Sequence, residues 1–250
     1  MEFEGKVAVI TGAGQGIGKG IALRLAKDGA NIAVVDINPD TSNNVVAEIK
    51  KMGRKAIFVN TDVSNSEQVK KMVEQVVKEL GTIDILVNDA AYVKGGGGGF
   101  MKETEEYWDK VIAVCLKGVI LCSRYVLDVM IAKQSGRIVS ISSDAARVGQ
   151  SGEVVYSSTK GGIIAITKSL AKEIARYGIR VNCIAPGATD TPAIPQGNPE
   201  LREKIVKGIP LRRIGQPEDI AGAVAFLCSK DADYITGQVL SVSGGYSMVG

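Results

Sequence analysis

The sequence contains no histidine among its 250 residues. This absence excludes Ser-His-Asp and Cys-His nucleophile systems, and zinc sites that use imidazole ligands. Any general acid or base must therefore be a tyrosine, lysine, aspartate, glutamate or cysteine. The four cysteines, at positions 115, 122, 183 and 228, include no Cys-x-x-Cys pair. We expect reduced, partly buried thiols rather than a disulfide framework, and no metal site.

The chain is also poor in aromatic residues and in long apolar runs. Only 5% of its residues are aromatic, so the core must be mostly aliphatic. The apolar runs are too short to span a membrane. Its 30 basic and 27 acidic residues are dispersed, with no basic block that favours nucleic acid. Because the stretch MEFEGKVAVITG lacks signal-peptide features, we expect a cytoplasmic protein with no membrane or nucleic-acid partner.

Short Val- and Ile-rich runs alternate with longer helical patterns along the whole chain. Nearly continuous β-branched runs are typical of strands buried on both faces of a parallel sheet. We therefore predict one α/β domain over 1–250, with a doubly wound (Rossmann) parallel sheet of about seven strands flanked by helices on both faces. The predicted strands are 6–11, 31–37, 55–63, 83–88, 136–143, 179–187 and 237–245; the predicted helices include 16–28, 40–52, 66–80, 103–133, 199–207 and 217–228.

A glycine-rich turn follows the first predicted strand in VAVITGAGQGIGKG. Gly12, Gly16 and Gly18 allow a tight turn and the close approach of a pyrophosphate, whose charge is stabilised at the helix N-terminus. Asp36 ends the second strand, where a carboxylate accepts hydrogen bonds from the adenosine ribose and repels the 2′-phosphate of NADP. Since Ile37 follows, and not a basic residue, we predict NAD as cofactor rather than NADP.

Tyr156 and Lys160, in the stretch YSSTK, lie one helical turn apart and share a face. A nearby cation lowers the pKa of a phenol, which makes Tyr156 a candidate general acid/base for hydride transfer. Lys160 is also within reach of cofactor ribose hydroxyls if the helix borders the cleft. Ser143, at the end of the fifth strand, is placed to polarise a substrate oxygen.

Together these motifs resemble the short-chain dehydrogenase/reductase family from end to end. The resemblance is carried by Thr11-Gly12-x-x-x-Gly16-x-Gly18, Asp36, Asp62-Val63, Asn88-Asp89-Ala90-Ala91, Ser143, Tyr156-x-x-x-Lys160, and Pro186-Gly187 followed by Thr191. It implies a Ser143–Tyr156–Lys160 proton-transfer system, a nicotinamide cofactor and a homotetramer. The cofactor residues it implies are Gly12, Gln15, Gly16, Ile17, Gly18, Asp36, Asp62, Val63, Asn88, Ala90, Tyr156, Lys160, Pro186, Gly187, Thr189 and Thr191.

Two positions depart from the family's pattern. Asp89 and Ala91 stand in a motif that is usually Asn-Asn-Ala-Gly. Cys115 aligns with a helix asparagine that normally holds a water linking the lysine to solvent. A thiol is a weak hydrogen-bonding group, so the relay through Lys160 is expected to differ. We assign Cys115 no covalent role.

Three further stretches resemble 2-hydroxycyclohexanecarboxyl-CoA dehydrogenases: SDAARVGQSGEVVY, APGATDT and ITGQVLSVSGG. This implies NAD-dependent oxidation of an alicyclic hydroxyacyl-CoA to its ketone. The same catalytic residues suit a 3-oxoacyl thioester reductase, or an NAD-dependent dehydrogenase of cyclic alcohols, diols or sugars. Asp36 disfavours a biosynthetic reductase, since those commonly use NADPH. A non-catalytic NAD-binding sensor is a further alternative, of a different class.

Loops at the carboxyl edge of the sheet supply candidate substrate contacts, Tyr92, Asp144 and Gln150. Arg147 and Lys94 are candidates for meeting the phosphates of a CoA thioester. The segment 188–210 suits a lid that closes over the substrate. The run of five glycines at 95–99 predicts a mobile loop beside the cleft.

Overall fold

The computed structural model describes residues 1–93, 99–192, 194 and 199–248. Seven of its segments form one β-sheet. The strands are β1 (Val7–Thr11), β2 (Asn31–Asp36), β3 (Ala56–Asn60), β4 (Ile85–Asn88), β5 (Gly136–Ile141), β6 (Ile179–Pro186) and β7 (Val239–Val242). Their spatial order is β3-β2-β1-β4-β5-β6-β7, and all neighbours are parallel. The order reverses between β1 and β4, which opens a crevice at the carboxyl ends. The predicted doubly wound sheet is confirmed.

Helices cover both faces of the sheet. They are α1 (Gly16–Lys27), α2 (Pro39–Lys51), α3 (Ser66–Leu80), α4 (Glu105–Ile112), α5 (Gly118–Ala132), α6 (Ala145–Val148), α7 (Val154–Ile174), α8 (Pro199–Gly208) and α9 (Pro217–Cys228). One apolar core joins the sheet to α1, α2 and α9, and a second joins it to α3, α5 and α7. None of the helices in the described ranges is long and apolar enough to cross a bilayer.

The central strands are buried on both faces, as their unbroken Val/Ile runs predict. All five residues of β1 are buried. The edge strand β7 differs: none of its residues is buried and Leu240 is 40% exposed. The expectation of two-sided burial is therefore wrong for this strand, which lies at the edge of the sheet.

The long helix predicted over 103–133 is interrupted. It consists of α4, a π-helical segment Ala113–Lys117, and α5. Thr104 begins α4 by accepting the backbone N–H of Tyr107 at 3.3 Å. π-helical turns are frequent at functional sites. This one contains Cys115.

Candidate active site

The turn between β1 and α1 forms a backbone cradle. Gly12 and Gly16 have φ angles of +68° and +56°, which L side chains rarely adopt. A Cβ at Gly18 would lie 2.4 Å from the Gly12 carbonyl oxygen, and one at Gly12 would lie 2.9 Å from the Ala90 Cα. Gln15, the N-cap residue of α1, makes no side-chain capping hydrogen bond, and the first turn contains no acidic residue of its own. Its backbone N–H groups suit an anionic pyrophosphate.

The cofactor candidates around this cradle lie where the sequence predicts. Gln15 is the exposed N-cap of α1, and Ile17 is half-buried in its first turn. Val63 follows β3 and, with Thr11 and Ala90, lines one narrow internal crevice. Asp62 accepts hydrogen bonds from the N–H and hydroxyl of Ser64, at 2.9 and 2.7 Å, which fixes its carboxylate in this loop.

The carboxylate of Asp36 is fixed by backbone donors at the end of β2. Oδ2 accepts the N–H of Gly14 at 2.9 Å. Oδ1 accepts the N–H groups of Ile37 and Asn38, at 2.7 and 3.0 Å. The Ile37 side chain is 69% exposed and supplies no charge. A dinucleotide entering here therefore meets a pre-oriented anion next to the glycine turn.

The Asn88 side chain has a structural role. Asn88 is 3% exposed, and its Nδ2 donates to Ser123 Oγ at 3.3 Å and to Ser140 Oγ at 3.2 Å. Its Oδ1 has no partner among the described residues. The side chain ties β4 to β5 and α5, so its amide nitrogen is occupied within the protein. Sequence reasoning missed Ser123 and Ser140, since neither carries a local motif.

The end of β6 approaches the cradle from the opposite side. Thr189 Oγ1 donates to the Gly187 carbonyl at 3.0 Å. The Thr191 methyl group lies 3.4 Å from the position that a Cβ at Gly16 would take. The predicted nicotinamide-side residues Pro186, Gly187, Thr189 and Thr191 thus follow one another beside the glycine turn.

Ser143, Tyr156 and Lys160 come together near the carboxyl end of β5. Ser143 follows this strand, and α7 carries Tyr156 and Lys160. Lys160 is 2% exposed, and its Nζ donates to the Ile141 carbonyl at 2.7 Å. The same Nζ lies 5.5 Å from the centroid of the Tyr156 ring. Ser143 faces the phenol closely enough for its side chain to lower the Tyr156 pKa. The three groups predicted from the sequence form one site.

The electrostatics of this site differ from the simplest expectation. Burial raises the pKa of Tyr156 above its usual value and outweighs the lowering by the Lys160 charge. Burial also works against the charge on Lys160, but the pull of Tyr156, Cys115 and Asp89 raises its pKa overall. The charge of Lys160 lowers the pKa of Tyr156, as predicted. The prediction of a lowered pKa is nevertheless wrong, because burial raises the pKa by more. At neutral pH the pair is a neutral phenol beside an ammonium.

Cys115 anchors the loop that follows β4. Its Sγ accepts the backbone N–H of Tyr92 at 3.3 Å and donates to the Tyr92 carbonyl at 3.8 Å. Cys115 is fully buried within the π-helical segment. The thiol thus acts as one donor and one acceptor toward a single backbone unit, which holds this loop against the helix.

The three substrate candidates have different environments. Asp144 is 1% exposed, and both its oxygens lie 3.0 Å from the hydroxyl of Ser241 on β7. Its assignment as a substrate contact is therefore wrong, because the side chain turns into the sheet. Tyr92 is half-buried, with its ring centroid 6.2 Å from that of Tyr107. Gln150 is exposed and donates to Glu153 at 3.1 Å.

Sequence reasoning missed Glu153 and Tyr107 on the substrate side of the site. Glu153 is half-buried one turn before Tyr156, and burial raises the pKa of its carboxyl. Burial also raises the pKa of the Tyr107 phenol, and so does the charge of Glu153. Glu153 precedes Tyr156 by three residues, and this spacing could have indicated that the carboxyl group lies near the phenol.

The predicted lid at 188–210 is described only in part. Residues 193 and 195–198 lie outside the described ranges, as do Lys94 and most of the glycine run at 95–99. The described part includes α8, which has no buried residue. Arg202 of α8 forms two hydrogen bonds of 3.1 Å with Asp190, just after β6. This pair connects α8 to the segment that follows β6.

We expect Arg202→Ala to raise the KM for the carbonyl substrate several-fold with little change in thermal stability. A partly exposed ion pair contributes about 0–1 kcal/mol to folding, whereas a displaced lid weakens substrate binding directly. Steady-state kinetics and a melting curve measure the two effects. Lys207→Ala is the control, because Lys207 is paired with Glu203 within the same helix. Equal effects of both variants would contradict a specific role for Arg202.

Comparison with known proteins identifies the family. Residues 12–247 match the family described as enoyl-(acyl carrier protein) reductase. The 3-oxoacyl-[acyl-carrier-protein] reductase FabG of Staphylococcus aureus N315 is 42% identical over 244 residues, which are 97% of this chain and 98% of that protein. The FabG of Thermotoga maritima is 40% identical over 98% of this chain and 99% of its own length.

Two solved structures are similar throughout. A protein described as a short-chain alcohol dehydrogenase from Sinorhizobium meliloti 1021 has a TM-score of 0.93 and 35% identity, over 98% of this chain and 97% of that one. A 7α-hydroxysteroid dehydrogenase in complex with NADH and 7-oxoglycochenodeoxycholic acid has a TM-score of 0.91 and 37% identity, over 98% and 95%. The chain belongs to the short-chain dehydrogenase/reductase family and is an oxidoreductase acting on CH–OH and ketone groups.

Proposed function

We propose that this protein reduces 3-oxoacyl thioesters to 3-hydroxyacyl thioesters, using NADH. The observation that carries the proposal is the grouping of Ser143, Tyr156 and Lys160, in which Lys160 Nζ lies 5.5 Å from the centroid of the Tyr156 ring and burial keeps the pKa of the phenol above its usual value. A phenol in this state is ready to give a proton to a carbonyl oxygen. Whole-length relatives named 3-oxoacyl-[acyl-carrier-protein] reductases support the thioester over an alicyclic acyl-CoA.

Each residue of the site has a distinct part in the proposed reaction. The bound nicotinamide cofactor supplies the hydride. Tyr156 donates its proton to the carbonyl oxygen of the substrate, and Ser143 holds that oxygen by a hydrogen bond. Lys160 then stabilises the phenolate that remains, as a fixed cation in a buried site where its charge is weakly screened. Ile141 fixes the ammonium through its carbonyl oxygen.

The choice of NADH rests on Asp36. Its carboxylate is oriented by three backbone N–H groups and accepts further hydrogen bonds through its remaining lone pairs. The 2′-phosphate of NADP would bring a second anion beside it without a compensating cation at Ile37. The similar hydroxysteroid dehydrogenase, whose complex contains NADH, supports this choice.

A second candidate is the oxidoreduction of a cyclic alcohol or ketone. The half-buried Tyr92 and Tyr107, whose rings are tilted at 52° to each other, offer an apolar wall that suits an alicyclic ring. The similar hydroxysteroid dehydrogenase acts on a ring hydroxyl. 2-Hydroxycyclohexanecarboxyl-CoA combines a ring with a thioester, so it belongs in the same test.

The test is oxidation of NADH at 340 nm with a panel of carbonyl substrates. The panel holds acetoacetyl-CoA, a 3-oxoacyl-acyl carrier protein, 2-oxocyclohexanecarboxyl-CoA, cyclohexanone and a 7-oxosteroid, each also with NADPH. Fast turnover of the linear thioesters supports the proposal. Preference for 2-oxocyclohexanecarboxyl-CoA would restore the alicyclic substrate, and preference for the free ketones would favour the second candidate. NADH binding without any turnover would support a sensor.

We also propose a homotetramer, because apolar side chains remain exposed on three elements. They are Ile112 at the end of α4, Ile120 on α5 and Leu240 on the open edge of β7, at 44%, 47% and 40% exposure. Covering such surface is favourable. Light scattering after gel filtration should give about four times the 26.3 kDa chain mass, and Leu240→Glu should lower it. A monomer at micromolar concentration contradicts the proposal.

A further inference from the structure

Asp89 is a carboxyl group in the cofactor site that the proposed mechanism does not use. It follows β4, and Thr11 Oγ1 accepts its backbone N–H at 3.0 Å. Its Oδ2 lies 2.8 Å from the position that a Cβ at Gly18 would take. The carboxyl therefore touches the first turn of α1, which has no acidic residue of its own and forms the pyrophosphate cradle.

The charged groups around Asp89 come from two other elements. Lys160 on α7 attracts the carboxylate, Asp36 at the end of β2 repels it, and the backbone N–H of Gly18 on α1 favours its ionised form. The positive end of α1 attracts Asp89 and a dinucleotide alike. An ionised Asp89 and a pyrophosphate thus compete for the same helix terminus.

We propose that Asp89 links cofactor binding to proton uptake: its neutral carboxyl accepts the dinucleotide, and its carboxylate weakens binding. The inference rests on the proposed NAD(H) binding. A protonated carboxyl also gains an O–H donor, whereas the ionised one only accepts. The residue would therefore make the affinity for NADH depend on pH in the physiological range.

The ionisation behaviour of the chain supports this role. Burial raises the pKa of Asp89 to about 7. Burial raises the thiol pKa of Cys122 and Cys228 to about 12 and that of Cys183 to about 11. The sequence has no histidine. Few groups are therefore available to produce a pH dependence near neutrality, which makes an effect of Asp89 easy to assign.

The test measures NADH binding by fluorescence at pH 5.5 to 8.5, for the unmodified protein, Asp89→Asn and two controls. We expect the unmodified protein to lose affinity by about tenfold as pH rises, as expected for one added charge near a bound anion. Asp89→Asn should bind with little pH dependence. Glu153→Gln, which removes the other shifted carboxyl near the site, and Cys115→Ser, which removes the nearby thiol, should keep the dependence.

A calorimetric measurement needs no variant. Binding of NADH at pH 7.5 in buffers with different ionisation enthalpies should show uptake of about half a proton per site, and this uptake should decrease at both lower and higher pH. No uptake, or equal pH dependence in the unmodified protein and Asp89→Asn, overturns the inference. Absence of NADH binding at every pH would instead refute the proposed cofactor, so the two failures are distinguishable.

The stability of the cofactor-free protein provides an independent readout. A carboxyl whose pKa is raised by folding stabilises the folded state below its unfolded pKa of about 3.9 and loses that contribution as pH rises. The unmodified protein should therefore lose stability relative to Asp89→Asn from about pH 4 to about 7, with a constant difference above. Melting temperatures over this range measure the difference in stability, and parallel curves for the two proteins would contradict a raised pKa of the half-buried Asp89.

Discussion

Replacing Tyr156 with phenylalanine should lower kcat by a factor of about 10² to 10⁴, the usual contribution of a positioned acid or base. The change removes one hydroxyl from a ring that is already half-buried, so the fold and the cradle at α1 remain. NADH should bind with unchanged affinity, because the cradle and Asp36 are untouched. Stopped-flow turnover and fluorescence titration measure the two quantities.

Tyr107→Phe is the matched control. It removes a phenol from the same side of the cleft, where the ring packs against Tyr92 rather than beside Lys160. Its kcat should stay within a few-fold of the unmodified enzyme. Turnover by Tyr156→Phe above about one tenth of the original rate would contradict the acid role of Tyr156.

The raised pKa of Tyr156 also predicts a pH profile for reduction. The neutral phenol is the reactive form, and burial keeps it neutral above its ordinary range. Deprotonation of Tyr156 should therefore not limit kcat for ketone reduction around neutral pH, but should lower it at strongly alkaline pH. Oxidation of the alcohol needs the phenolate and should increase with pH over the same range.

The second large effect concerns the choice of cofactor. We expect Asp36→Asn combined with Ile37→Arg to lower kcat/KM with NADH by about 10- to 100-fold and to raise it with NADPH by a similar factor. The asparagine oxygen can still accept the N–H groups of Ile37 and Asn38, whereas the acceptor for the Gly14 N–H and the negative charge are lost. The arginine replaces a side chain that is 69% exposed, so packing is preserved.

The single variants Asp36→Asn and Ile37→Arg separate the repulsion of the 2′-phosphate by Asp36 from its attraction by a new arginine. Asp36→Asn alone should relieve the repulsion of the 2′-phosphate and allow NADPH to act weakly. Ile37→Arg alone should have a small effect, because the Asp36 carboxylate would pair with the new guanidinium. If the unmodified enzyme already uses both cofactors equally, Asp36 does not determine the choice, and the NADH proposal fails.

Much of the framework follows from local sequence patterns. Runs of β-branched residues mark all seven strands, and the glycine turn lies between β1 and α1 as predicted. Tyr156 and Lys160 share a face of α7 because a spacing of four residues is one helical turn. These features depend on the backbone geometry of a few consecutive residues, so they can be predicted from the local sequence.

The π-helical interruption at Ala113–Lys117 is a feature that local sequence patterns do not predict. One extra residue rotates the helix face that follows by about 100°, but the stretch VIAVCLKGVILC around it is apolar at nearly every position, so the periodicity does not mark the interruption. Asp144 and Asn88 show the same limit for side chains. Each stands at the predicted edge of the sheet, yet each is held inside by hydroxyl groups from distant strands or helices.

The sequence by itself determined the fold class, the glycine cradle, the acidic end of β2 and the Ser143–Tyr156–Lys160 set, since each is a short-range pattern. Only the tertiary structure decided the direction in which burial shifts the pKa of Tyr156, the inward turn of Asp144 and the contact of Asp89 with α1. The reason is physical: desolvation and charge interactions are set by groups brought together from β4, α1 and α7, which lie far apart along the chain.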